Sequence, residues 1–389
     1  VQPVYLDHAA TTPLWPEARE AMLPYLGERF GNPSSSHRWG RDARSALEDA
    51  RDRVARVLGA QRSEIIFTAS GTESDNIAVL GAWRSCPRER AAVVCSAVEH
   101  KAALLATKAA HREGAPLVIL GVDDEGRVDL SLLDEALASR PAVVTVMWGN
   151  NEVGTVQPVA EIGARCLAAG VPFHTDAVQA FGKVRVRVDE TPCDLLALSA
   201  HKFGGPKGIG ILYIREGTVL EALEHGGGQE HHLRPGTENV AGAVGLAVAA
   251  EKSVMALDAE SARLAALRDS LEHSLREAVP GLVVNGGGAR LPHISNVSIP
   301  GVDQDALLVS LDLEGIAVSV ASACQSGATA PSHVLSAMGR VLPQGASIRV
   351  SLGRTTTAAD IERAAQVIPH VVARTSITAR TSLAASIAS

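Results

Sequence analysis

The sequence predicts an α/β fold: a mostly parallel seven-stranded sheet in a large domain, followed by a smaller C-terminal α/β domain. Three observations lead there. Between residues 60 and 215 short apolar runs rich in β-branched residues alternate with helical stretches, the rhythm of repeated βα units. After about residue 255 the rhythm changes to one long amphipathic segment and then a second, shorter set of strands and helices. The chain has 389 residues, 46% hydrophobic and 20% charged, enough to bury more than one substantial core.

The strands, in order, are EIIFTA, AAVVCS, PLVIL, AVVTVMW, VPFHTDA, DLLALSA and GILYIR. Near-continuous apolar runs of this kind suit strands covered on both faces. Asp129 to Ala138 and Val159 to Ala169 place apolar residues at helical spacing. Further on, Leu257 to Ala278 reads as a helix, Leu282 to Val284 and Ile294 to Ile299 as strands, and a helix begins at Asp303. Ile316 to Val320 reads as one strand, and a last strand and helix follow. The expected division is a large domain over 13–255 and a small domain made of 1–12 with 256–389.

Bulk properties narrow the function. The net charge of −7 with both signs interspersed argues against direct nucleic-acid binding. The five cysteines, Cys86, Cys95, Cys166, Cys193 and Cys324, never fall at C-x-x-C spacing, which argues against a disulfide framework or a zinc ribbon and suits a reducing cytoplasm. No targeting segment is read at the start of the sequence, and no apolar run approaches the length of a membrane span. Glu230-His231-His232 resembles a metal-ligand set only loosely, so no metal is expected.

Ligands of open α/β sheets bind beyond the carboxyl ends of the strands, and five polar motifs fall there. SGTES, from Ser70 to Ser74, sets Gly71 and Thr72 at a helix start that suits a phosphate, although Thr72 to Asp75 also reads as a capping box. VEH ends at His100, whose ring could stack on a planar group and move protons. GNNEVG follows the fourth strand, HTDAVQ carries Asp176 and Gln179, and SAHK carries Lys202. A carboxylate such as Asp176 at an apolar strand end needs a cationic partner, and a structural ion pair or a protonated pyridine nitrogen would each serve. Lys202 does not fit a nucleotide-binding loop, because it follows His201 and no hydroxyl residue follows Lys207. A lysine amine of lowered pKa can instead capture an aldehyde cofactor such as pyridoxal phosphate.

Taken together, SAHKFGGPKGIG, SGTESDN, VEH, NNEVGTVQP, HTDAVQ, GGGQE, LRPGTENV and SLGR resemble the cysteine desulfurases, fold type I pyridoxal-phosphate enzymes of the class V aminotransferase group. The resemblance runs in order from YLDHAATTP to SLGRTT. It implies that Lys202 holds pyridoxal 5'-phosphate covalently, His100 stacks on its ring, Asp176 pairs with the ring nitrogen and Gln179 contacts the phenolic oxygen. Gly71, Thr72, Ser199 and His201 would hold the phosphate, with Thr237 reaching in from the second subunit of a homodimer. Asn32, Asn151 and Arg354 would surround the substrate carboxylate, with Asn151 also contacting the cofactor. ASACQSG places Cys324 where the family has its nucleophile, and a persulfide there would pass to a sulfur-acceptor or scaffold protein serving iron-sulfur assembly, tRNA thiolation or DNA phosphorothioation.

The chain departs from the commoner G-S-A-C-T-S pattern with Ala321 for glycine and Gln325 for threonine, and alanine restricts φ, so a stiffer loop is expected. The expected reaction converts L-cysteine to L-alanine. The alternatives are a selenocysteine lyase or another enzyme of the same group, which would not depend on Cys324, and a sulfur-relay scaffold without catalysis.

Overall fold

The computed structural model describes residues 3–87, 91–320, 332–342 and 344–376. Its centre is a seven-stranded sheet with side-by-side order Ile65–Thr68, Gly210–Ile214, Leu195–Ser199, Phe173–Asp176, Val143–Thr145, Val93–Ser96 and Leu117–Leu120. All seven correspond to the apolar runs read from the sequence. Gly210–Ile214 runs antiparallel to both of its neighbours, and the other pairings are parallel. Six strands end in the same direction, at Thr68, Ser96, Leu120, Thr145, Asp176 and Ser199. Their loops therefore meet along one edge.

Helices cover both faces, which is why the central strands are buried along almost their whole length. The predicted helices form as Leu130–Ala138, capped by the Asp129 side chain on the Ser131 amide, and Val159–Ala169, closed by Gly170 at φ 64°. Gly71–Ser85 is buried on most sides and starts at the carboxyl edge of the sheet.

A second apolar cluster joins Val4 and Leu6 to Leu264, Leu271, Val297, Ile348 and Ile368. It packs around a four-stranded antiparallel sheet that includes Val283–Asn285, Ile294–Pro300 and Gly345–Ser351, under Leu257–Ala278, Gln304–Leu313 and Ala358–Thr375. One expectation is corrected here. Ile316 to Val320 is not one strand: Ile316–Ala317 pairs with Val4–Tyr5, whereas Ser319–Val320 joins Gly345–Ser351. A single apolar run can serve two sheets, and nothing in its own residues marks the break at Val318. Among the described residues no single helix is long and apolar enough to cross a membrane.

Candidate active site

The loops at the carboxyl edge enclose a cavity of about 290 Å³ whose walls include Gly71, Thr72, His100, Asn151, Asp176, Gln179, Ser199, His201 and Lys202. Nine of the residues singled out in the sequence thus converge, from five loops spread over 130 positions.

Each is placed by its strand or helix. The Gly71–Ser85 helix is capped by Ser70, whose side chain accepts from the Glu73 amide, while the Glu73 carboxylate accepts from the Ala69 amide. The capping pair is therefore Ser70 with Glu73, not Thr72 with Asp75 as the sequence suggested. That leaves Thr72 on the cavity wall and the first helical amides facing it. A Cβ on Gly71 would lie 2.7 Å from Val178 Cγ2, so only a residue without a side chain lets the helix start sit this close to the turn after Asp176. Ser199 and His201 border the same region.

Asp176 ends the middle strand, 4% exposed, and accepts a hydrogen bond from the Val178 amide at 2.8 Å. Burial raises its pKa, against the opposing influence of His100, that amide and Lys202. His100 caps the next helix through the Ala102 amide and turns its ring into the cavity, where desolvation lowers its pKa and Asp176 works to raise it. Lys202 donates to the Ala9 and Ala10 carbonyls at 2.7 and 2.9 Å. Its pKa falls from 10.5 to about 8, first through burial and then through Arg349, with Asp176 and Asp7 opposing. Gln179 donates to the Ala9 carbonyl at 2.9 Å, and His201 Nδ1 lies 3.2 Å from Thr11 Oγ1. The N-terminal segment thus forms one wall, a role that its residues gave no sign of.

Three expected residues that the structure describes are not on this cavity wall. Arg354 stacks on Trp15 at 4.3 Å and donates to the Pro13 and Leu14 carbonyls at 3.4 Å. Asn32 turns back on its own loop to accept from the Ser34 amide, and Thr237 is exposed. Cys324, with Ala321 and Gln325, lies outside the described residues. The cavity also holds two charged residues that sequence reasoning missed. Arg349 donates to Asp7 at 2.8 Å and to the Asn151 carbonyl at 2.9 Å, and Asp75 lies deep beside Asp176. A signal for Arg349 existed: an arginine inside an apolar strand, SIRVS, requires buried partners.

The donor set fits a phosphorylated aldehyde of one aromatic ring. On its walls the helix start at Gly71 and the hydroxyls of Thr72 and Ser199 suit a phosphate, the buried Asp176 carboxylate suits a ring cation, and Lys202, of lowered pKa, suits an aldehyde. Asp75, His100 and Asp176 also present atoms within 4.8 Å of one another, a spacing a cation would accept, but the ammonium of Lys202 and the guanidinium of Arg349 on the same walls favour an anionic guest.

Residues 4–364 match the family described as Aminotransferase class-V. The chain is 44% identical over 371 residues to the cysteine desulfurase IscS of Dictyoglomus turgidum, covering 95% of this chain and 94% of that protein. It is 43% identical to the cysteine desulfurase NifS of Azotobacter vinelandii, covering 95% and 93%. A solved NifS-like protein superposes with a TM-score of 0.89 at 34% identity, over 96% of this chain and all of the other. The chain belongs to the class-V aminotransferase family, in its cysteine desulfurase branch.

Proposed function

We propose that this cavity takes L-cysteine, releases L-alanine, and leaves the sulfur as a persulfide on Cys324. The observation that carries the reading is the meeting of Lys202, Asp176 and His100 in one cavity at the carboxyl edge of the sheet. Bound there, pyridoxal phosphate supplies an electron sink for the substrate's α-carbon. Lys202 holds the aldehyde and moves protons at its Nζ. Asp176, as an anion, would hold the ring nitrogen's proton, and His100 would cover the ring and screen it from water. Gly71, Thr72, Ser199 and His201 hold the phosphate, and Gln179 orients the phenolic oxygen. Purified protein given L-cysteine is expected to yield equal amounts of alanine and transferable sulfur, and production of neither would rule the reading out.

For the substrate carboxylate we assign Arg349 with Asn151. Arg349 is the guanidinium on the cavity wall, and its Nε has no hydrogen-bond partner among the described residues. A hydrogen bond to a charged group is worth about 1.5–3 kcal/mol. Arg349→Gln is therefore expected to raise KM for cysteine roughly ten- to hundred-fold, while Arg354→Gln changes it little. The reverse ranking would return the role to Arg354.

The lowered pKa of Lys202 sets a second expectation. Only the neutral amine captures an aldehyde, and below a pKa of about 8 its fraction grows with pH. Uptake of pyridoxal phosphate by cofactor-free protein should accelerate about tenfold per pH unit up to that value and then level off. A rate that is flat from pH 6 upward, or still rising at pH 10, would contradict this environment for the lysine.

The second subunit is the partner we infer for the exposed Thr237. Ser34, from the loop of Asn32, and Glu238, beside Thr237, line one broad cleft of about 640 Å³ outside the cavity. Leu26, Phe30 and Trp39 stand exposed in the same stretch of chain as Asn32, apolar surface of the kind that subunit association covers. Thr237→Ala should weaken cofactor retention by about 0.5–3 kcal/mol, and full occupancy in a monomeric variant would exclude the shared site. The acceptor of the sulfur is a protein that docks near Cys324. Iron-sulfur assembly, tRNA thiolation and DNA phosphorothioation are its possible destinations.

A further inference from the structure

The cavity wall carries one more carboxylate than the reaction requires: Asp75 lines it with Asp176, and Glu99 is buried within electrostatic reach of both. Asp75, Glu99 and Asp176 are all buried, with exposures of 1%, 0% and 4%, and Asp75 and Asp176 bring oxygens within 4.8 Å of each other. Two carboxylates this close in a dry site do not both ionise. One of them must be neutralised.

The surroundings decide which. Asp176 faces His100 and Lys202 and accepts from the Val178 amide, all of which favour its anion. Asp75 faces Asp176 and Glu99, both of which disfavour a charge on it. Opposite Asp75 stands His174, fully buried, with its Nε2 at 3.4 Å from Asp75 Oδ1. Neither atom has a hydrogen-bond partner elsewhere among the described residues. The other ring nitrogen, Nδ1, lies 2.8 Å from Thr145 Oγ1. If the threonine hydroxyl accepts from Nδ1–H, then Nε2 is free to face a proton carried by Asp75.

We infer that Asp75 and His174 share one proton as a net-neutral positioning pair, so that Asp176 alone presents a full negative charge to the cofactor's ring nitrogen. The proton rests on Asp75 Oδ1 or on His174 Nε2, and no other bond changes between the two forms. Burial pushes the Asp75 carboxyl up and the His174 imidazole down to about 3, which places the proton on Asp75. Thr145 Oγ1, acting as acceptor from Nδ1–H, holds the tautomer that this arrangement requires. A second anion beside Asp176 would hold cations in the cavity more tightly and would keep the Lys202 linkage protonated at working pH, so the pair sets the charge that Lys202 experiences.

This inference rests on the reading of the cavity as a pyridoxal phosphate site. It is tested on the resting holoenzyme, without substrate, by following visible absorbance against pH and reading the titration midpoint of the Lys202 linkage. Asp75→Asn, which imitates a neutral acid, should leave that midpoint within about 0.3 unit of wild type. His174→Gln gives the Asp75 O–H an amide oxygen to donate to, so Asp75 stays neutral and the midpoint should likewise stay within about 0.3 unit of wild type. The double variant should match both. A midpoint that falls by a unit in Asp75→Asn would show that Asp75 is an anion in the native protein and would overturn the pair. A rise of about one unit in His174→Gln would overturn the placement of the proton on Asp75, because it would show that the ring had carried the neutralising charge. Absence of any visible absorbance in wild-type protein given pyridoxal phosphate would overturn the cofactor reading and this inference with it. If the variants fail to fold, the ¹⁵N spectrum of His174 in the wild-type protein decides. A protonated Nδ1 supports the pair, and a bare Nδ1 with a protonated Nε2 overturns it.

Discussion

Cys324→Ser is expected to fold, to bind the cofactor and to change its absorbance on addition of cysteine, yet to lose alanine and sulfur production by on the order of 10⁴-fold or more. The reaction needs a thiolate to accept the sulfur, and a serine hydroxyl cannot form a persulfide. The other cysteines do not offer a substitute. Cys95, Cys166 and Cys193 are buried, and desolvation pushes each thiol up to about 12. Cys86 lines a different cleft with Pro172 and Asp194, at the amino ends of the strands, on the opposite edge of the sheet from Lys202. Single replacements of these four should leave turnover within about twofold. Alanine formation by Cys324→Ser at near the wild-type rate would make the protein a lyase that does not depend on a cysteine nucleophile.

Lys202→Ala is expected to lose turnover to a similar extent, on the order of 10⁴-fold or more, together with the visible absorbance of the bound cofactor. His100, Asp176 and the helix start at Gly71 remain in that variant, so some non-covalent affinity for pyridoxal phosphate should survive. Methylamine added to the variant supplies a free amine for the aldehyde and should restore part of the absorbance but little turnover, because a freely diffusing amine is not positioned to move the substrate's protons. Full turnover without the lysine would remove it from the chemistry.

The large sheet was legible in the sequence because each strand is buried on both faces and therefore spells a short apolar run between turn residues, as in AAVVCS and DLLALSA. The polar residues at the strand ends were legible for the same reason: Asp176 and His100 interrupt an apolar context at the edge where ligands bind. What could not be read depends on partners far away in the chain. Arg349 reaches the cavity because Asp7, 342 positions earlier, and the Asn151 carbonyl hold its guanidinium. Arg354, in the more recognisable SLGR motif, is held by Trp15 and two carbonyls of the N-terminal segment. Asp75 read locally as half of a capping box, yet Ser70 and Glu73 take that role and leave Asp75 facing Asp176. Lys202 stood out among lysines only through its neighbours in sequence. In the structure Lys183 shares its lowered pKa of about 8.

That pair of lysines permits the most direct test of the whole account. Lys183 borders a small gap of about 30 Å³ between Trp15, Glu260 and Arg354, too small for a cofactor ring, whereas Lys202 opens on the cavity of about 290 Å³ that contains Asp176 and His100. Borohydride reduction of the holoenzyme, followed by digestion and mass spectrometry, fixes the cofactor to whichever lysine holds it. The expected result is a pyridoxyl group on the peptide that contains Lys202 and none on the peptide that contains Lys183. A label on Lys183, or on neither lysine in a protein that carries the visible chromophore, would contradict the assignment of this cavity as the active site.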